Sequence, residues 1–117
     1  MEFQKDQAIY LQIADLICEN ILSGDWKKEE KIPSVREMAV TIEVNPNTVM
    51  RTYAYLQEKG IIYNRRGIGY FISDGAREIT RALKRKEFIN TQLPQVFKMM
   101  NLLNINFNEL KTFYNNQ

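Results

Sequence analysis

The residues of this 117-residue chain that are capable of chemistry are cations, amides and hydroxyls, and they fall in three short clusters. Ser34 and Arg36 stand in IPSVREMA, Asn45, Asn47, Thr48 and Arg51 in VNPNTVMRTY, and Arg65, Arg66, Gly67 and Gly69 in RRGIG. A guanidinium can pair two-pronged with guanine O6 and N7 or with a phosphate. An Asn amide matches adenine N6 and N7, and a Thr hydroxyl suits a phosphate or a thymine edge. Asn47 and Arg51 are four residues apart, so on a helix they share a face. No nucleophile stands beside a recognisable base, so the chemistry these clusters offer is recognition of a polyanion rather than bond-breaking.

Composition narrows the classes further. The chain has no His, which removes the commonest general base, the commonest zinc ligand and every Ser-His or Cys-His arrangement. An enzyme is therefore not expected, and neither is a cofactor or a His/Cys metal site. Cys18 is the single cysteine, so no disulfide framework can form within the chain, in keeping with a reducing cytosol. The 16 Lys+Arg against 14 Asp+Glu leave a net charge of +2, too small to specify a polyanionic partner, so the case rests on where the cations sit. No apolar run approaches the roughly 20 residues of a bilayer span. MEFQKDQ at the N-terminus has neither a basic start nor an apolar stretch, so no leader is expected and the chain reads as cytoplasmic, with no membrane partner.

Hydrophobic periodicity gives the scaffold on which these clusters sit. Ile9, Ile13, Leu16, Ile17 and Ile21 share one helical face, with Gln12, Asp15 and Glu19 elsewhere, and Gly24 ends the helix. Lys27 to Lys31 form a charged loop. Ser34 with Glu37 three residues on is a capping box, opening a short helix through Val35, Met38, Ala39 and Ile42. Asn45 followed by Pro46 opens a third helix buried through Val49, Tyr53 and Leu56, with Asn47, Thr48, Arg51 and Tyr55 facing out. Gly60 stops it. Ile61 to Asn64 and Tyr70 to Ser73 then read as a hairpin turning at RRGIG. Asp74 caps a fourth helix through Ile79 and Leu83, Pro94 interrupts the next helical segment, and Asn106 with Glu109 opens a last helix. The expected fold is mainly α with a small β-hairpin: a winged helix-turn-helix over residues 1–74 and a short helical tail over 75–117. In such a fold the third helix lies in the DNA major groove and the hairpin tip reaches the adjacent backbone or minor groove.

In that order and spacing, IPSVREMA, VNPNTVMRTYAYLQEKG and RRGIGYFI resemble the GntR family of bacterial transcription regulators over about residues 9 to 73. The short tail and the Asn-Pro-Asn-Thr-Val start of the third helix resemble its YtrA subfamily. That resemblance implies a homodimer assembled through the C-terminal helices on an inverted-repeat operator in double-stranded DNA, often controlling transporter genes; repression is the expected mode. It also places Arg36 on the Arg of the family's PSxREL motif and Arg51 on that of TVxRAY. Met50 departs from branches that carry Arg at its position.

Each residue also has a plainer role. Ser34 and Asn45 serve as caps, Arg36 as a solvated cation, Arg51 as a partner for Glu58 or Glu37, and Gly67 and Gly69 as turn residues. Tyr63, Tyr70 and Phe71 read as core rather than as a stacking platform. The cations of RALKRKE read as a solvated helix face. In the tail, Ile79, Leu83, Phe88, Phe97, Met100, Leu103, Phe107, Leu110 and Phe113 form an apolar series too rich for so short a segment to bury alone. It packs either on the first domain as intramolecular core or on a second copy of the chain as a dimer seam, and the number of these residues favours the seam. A small-molecule effector would have to sit at that seam or between tail and DNA-binding domain. The competing function is a winged-helix protein interaction module without specific DNA binding.

Overall fold

The computed structural model describes residues 7–117, so the reading of the first six residues as free of a leader lies outside the described residues. The first helix, α1 (Ile9–Ser23), has the bounds that its apolar period predicts, and Gly24 closes it at φ 89°. Its buried face is Ile13, Ala14, Ile17, Cys18 and Ile21. Ile9 is instead exposed, and Gln12 turns inward, where its Nε2 donates to the Gln7 carbonyl at 2.8 Å. An inward amide is tolerated there because that bond satisfies it.

The Ser34 capping box forms as expected at the start of α2 (Val35–Ile42), and Glu43 in the left-handed region ends the helix. Asn45 caps α3 (Pro46–Glu58), whose Val49, Thr52, Tyr53 and Leu56 are buried. The hairpin pairs β1 (Ile62–Arg65) with β2 (Gly69–Ile72) in antiparallel register, Ile62 opposite Ile72 and Arg65 opposite Gly69. Both strands therefore sit one residue from the bounds that the β-type runs indicate. The charged segment before Ile32 is also more than a loop. Glu29 N–H donates to the Ile72 carbonyl, Ile72 N–H to Glu30 and Ile32 N–H to Tyr70, so the segment adds a third, irregular edge to the hairpin. Its alternation is hidden because only Ile32 of the run is apolar and buried.

Two compact units divide the chain, one ending at Ala82 and the other spanning Leu83–Gln117. The first extends past residue 74 because the start of α4 (Ala76–Glu87) packs into it: Ala76 and Thr80 are buried, and Arg77 Nη2 donates to the Leu22 carbonyl at 3.2 Å. Asp74 lies two residues before this helix, with its carboxylate 3.5 Å from Lys28 Nζ. Ile79 Cδ1 lies 3.8 Å from where a Cβ on Gly60 or Gly75 would stand.

In the second unit Pro94 does not break the helical path. A π-helical turn (Phe88–Gln92) links α4 to α5 (Leu93–Leu102), and Leu93 N–H reaches back five residues to the Phe88 carbonyl. Proline lacks an N–H and its ring clashes with the carbonyl four residues earlier; the wider turn relieves both conflicts. Asn106 caps α6 (Phe107–Asn115) by accepting from Glu109 N–H at 2.8 Å. Between α5 and α6 lies an apolar groove of about 490 Å³ lined by Val96, Met99, Met100, Leu103, Leu110 and Phe113 among others. No helix among the described residues is long and apolar enough to cross a membrane.

Candidate nucleic-acid interface

The third helix is fixed from its buried side. Tyr53 is fully buried, and its hydroxyl donates to the Pro33 carbonyl at 2.6 Å, tying α3 to the start of α2. Its ring meets Tyr70 of β2 edge-on at 4.9 Å, tying α3 to the hairpin. Burial, then the neighbouring Tyr70 and Glu37, push the Tyr53 phenol well above its ordinary value. Thr52, also fully buried, donates to the Tyr10 carbonyl at 2.7 Å and so ties α3 to α1. These three attachments leave one face of α3 turned away from the core. On it Asn47, Met50, Arg51 and Ala54 are exposed, spaced at i, i+3, i+4 and i+7.

Asn47 is exposed, and its N–H donates to the Asn45 cap at 2.8 Å. Thr48 is half-buried at the edge of the face. Arg51 pairs with neither Glu58 nor Glu37; its guanidinium lies 4.0 Å from the centroid of the Tyr10 ring. Tyr55 does not belong with the outward set. It is half-buried and meets Tyr10 edge-on at 6.4 Å, because the helix wheel turns it toward α1. Its place on the exposed stripe is taken by Ala54, which polarity-based reading passes over.

At the start of α2, Ser34 Oγ accepts from Glu37 N–H at 3.1 Å, and Ser34 N–H donates to Glu37 Oε1 at 2.9 Å. The Ser34 N–H foremost, then the Ser34 hydroxyl and the charge of Lys31, hold the Glu37 carboxyl below its ordinary range. Ser34 is thus engaged as a cap while still exposed. Arg36 is exposed and pairs with no other described residue.

The hairpin tip carries Arg65, Arg66, Gly67 and Gly69. Arg65 lies 5.3 Å from the Phe71 ring centroid, and Tyr63 stacks on the same ring at 5.7 Å. The Tyr63 hydroxyl donates to Glu29 Oε2 at 2.7 Å, which raises its pKa. Tyr63, Tyr70 and Phe71 are all half-buried, so they support the wing rather than form an open stacking surface. Arg66 is exposed and pairs with no other described residue. Gly67, at φ 78°, faces open space, consistent with a turn. Gly69, at φ 140°, has a second constraint: a Cβ there would stand 3.0 Å from Lys31 Cε. Lys31 therefore lies across the wing, and its charge also acts on Glu37 at the start of α2. It is a cation between the Arg36 and Arg66 regions that no sequence motif marks.

The family model for bacterial regulatory proteins of the gntR family matches residues 9–72, which contain every one of these side chains. The chain is 42% identical over 88 residues to the HTH-type transcriptional repressor YtrA of Bacillus subtilis (strain 168), covering 75% of this chain and 67% of that one. A GntR-family transcriptional regulator from Bacteroides thetaiotaomicron superposes with a TM-score of 0.77 at 45% identity, over 93% of this chain and 95% of that one. AraR(DBD), solved in complex with operator ORX1, superposes with a TM-score of 0.55 at 25% identity, over 62% of this chain and 93% of that one. With its winged-helix order, its capping motifs and these matches in agreement, the chain belongs to the gntR family of bacterial regulatory proteins.

Proposed function

We propose that the protein is a cytoplasmic, sequence-specific transcription regulator that binds an inverted-repeat operator in double-stranded DNA as a homodimer and represses by occupying it. The observation that carries this reading is the exposed stripe of α3, with its amide and cation, together with exposed Arg36 at the start of α2 and Arg66 at the wing tip, which no described residue neutralises. A repressor among its relatives and an operator complex among its structural neighbours support it. Asn47, Thr48 and Arg51 enter the major groove, Asn47 toward adenine and the other two toward bases or phosphates. Arg36, Lys31, Arg65 and Arg66 neutralise phosphates on either side, with Gly67 letting the wing tip approach closely. Ser34 and Asn45 contribute through the helix N-termini they cap, where backbone N–H groups and the dipole favour phosphate.

Residues 1–74 carry DNA recognition in this reading and residues 75–117 dimerisation. Phe97, Phe107 and Phe113 are each at least half exposed, and with Met100, Leu103 and Leu110 they supply the seam. Leu83 and Phe88 extend it, whereas Ile79 lies within the first unit, its Cδ1 beside Gly60 and Gly75. A small apolar effector would sit at this seam, in the α5–α6 groove that Met100, Leu103, Leu110 and Phe113 help line.

Selection from random duplexes at moderate salt tests the proposal. An inverted repeat with half-sites about one helical turn apart is expected. A selection that enriches no repeat sinks it.

A further inference from the structure

The exposed stripe of α3 is not polar throughout. Asn47 and Arg51 supply its polar part, but Met50 and Ala54 are exposed as well, Met50 to 55%. The buried side of α3 is already complete with Val49, Thr52, Tyr53 and Leu56, so Met50 has no packing duty there. The helix wheel sets Met50 and Arg51 on either side of the outward direction. Arg51 is held toward α1 by the Tyr10 ring, so the first turns of the other flank present the thioether chain of Met50, with Ala54 one turn further on and the exposed Gln57 two turns on.

We infer that Met50, backed by Ala54, is a specificity-determining residue that reads the 5-methyl group of thymine by apolar contact. The inference rests on the DNA-binding reading above. Among the base edges of the major groove, thymine alone offers an apolar group; the others present donors and acceptors. A flexible, polarisable Met side chain fits against a methyl group. Against cytosine N4 or adenine N6 it would instead cover a donor without pairing it, which is costly. Ala54 is small enough to let the base edge approach the helix one turn beyond Met50.

The test takes the tightest duplex recovered by selection and resynthesises it with deoxyuridine in place of each thymidine in turn, removing one methyl group and nothing else. For the wild-type protein, at least one replacement is expected to weaken binding about fourfold, equivalent to about 0.8 kcal/mol for one buried methyl-sized group. Met50→Gln, at an exposed position that leaves the fold alone, is expected to bind the thymidine and deoxyuridine duplexes equally. Met50→Leu is expected to keep the discrimination. Equal losses in wild type and Met50→Gln, or no thymidine at which the methyl matters, overturn the inference and leave DNA recognition standing. A selection that enriches nothing overturns both.

Discussion

Replacing Tyr53 by Phe removes one oxygen atom from the point where α3 is tied to the start of α2, and its cost can be worked from the geometry. The side chain is fully buried, and its hydroxyl donates to the Pro33 carbonyl at 2.6 Å. The ring is retained, so the edge contact with Tyr70 survives. What is lost is one neutral hydrogen bond, together with the satisfaction of a carbonyl on a half-buried residue. The expected cost is about 1.5 kcal/mol, between the net worth of such a bond and the penalty for an orphaned acceptor. With a urea slope of about 1.5 kcal/mol per molar, the unfolding midpoint drops by about 1 M. Trp26, the single tryptophan, lies in the first unit and reports its unfolding by fluorescence.

The same substitution carries a pH signature. Burial holds the Tyr53 phenol above its ordinary value of 10.0, so the neutral form is favoured in the fold. That contribution is complete below the unfolded value and is lost as pH rises toward the folded one. At about pH 11 the unfolded wild-type chain gains about 1.4 kcal/mol by releasing this proton, whereas the variant has no proton to release. Tyr63, whose phenol is raised by its bond to Glu29 in both proteins, cancels in the difference. The gap of about 1.5 kcal/mol at neutral pH is therefore expected to close to near zero at about pH 11. A gap that stays constant across that range, or no gap at neutral pH, refutes the assignment of Tyr53 as a buried donor.

Ser34→Ala removes the α2 cap and is expected to cost about 1 kcal/mol in urea unfolding. Because the Glu37 carboxyl is held below 4.5, its contribution is present above that pH and is lost as pH falls through the folded value; Glu37→Gln is expected to flatten the acid limb of the stability curve. Thr80 is fully buried, and its hydroxyl has no hydrogen-bond partner among the described residues. Thr80→Val is therefore expected to leave thermal stability unchanged or raise it by up to about 1 kcal/mol, and a clear loss would reveal a partner for the hydroxyl. Gly69→Ala must accept φ 140° and a contact of 3.0 Å with Lys31, and is expected to cost about 1–2 kcal/mol by denaturant titration. Gly67→Asn, facing open space at φ 78°, is expected to cost less than about 1 kcal/mol.

The parts of the fold legible in the sequence are those where local chemistry is self-sufficient. Ser34 with Glu37, Asn45 with Pro46 and Asn106 with Glu109 each satisfy orphan helix N–H groups within four residues, and each opens a helix where its spacing says. The features that stay hidden depend on partners distant in the chain. The Glu29–Ile32 edge is made by β2, roughly 40 residues on, through backbone bonds that side-chain pattern does not encode. The π-turn is a compromise between Pro94 and a helix that continues on both sides of it. At the interface, polarity singles out Asn47, Arg36 and Arg66, which are exposed. It misplaces Tyr55, whose hydroxyl suggests solvent while its ring packs on Tyr10, and it overlooks Lys31, which only the approach of Gly69 places across the wing.

The most direct test of the interface is the salt dependence of affinity for the selected duplex, by fluorescence anisotropy, in wild type and in the Arg36→Ala, Arg66→Ala double variant. Both arginines are exposed and pair with no described residue, so their removal leaves the fold intact, which circular dichroism checks. If both neutralise phosphates, affinity falls, and the slope of log affinity against log salt becomes shallower by about 1.8 per protomer, about 0.9 for each cation. An unchanged slope with unchanged affinity in a folded protein contradicts the proposal that α2, α3 and the wing form one DNA-binding face.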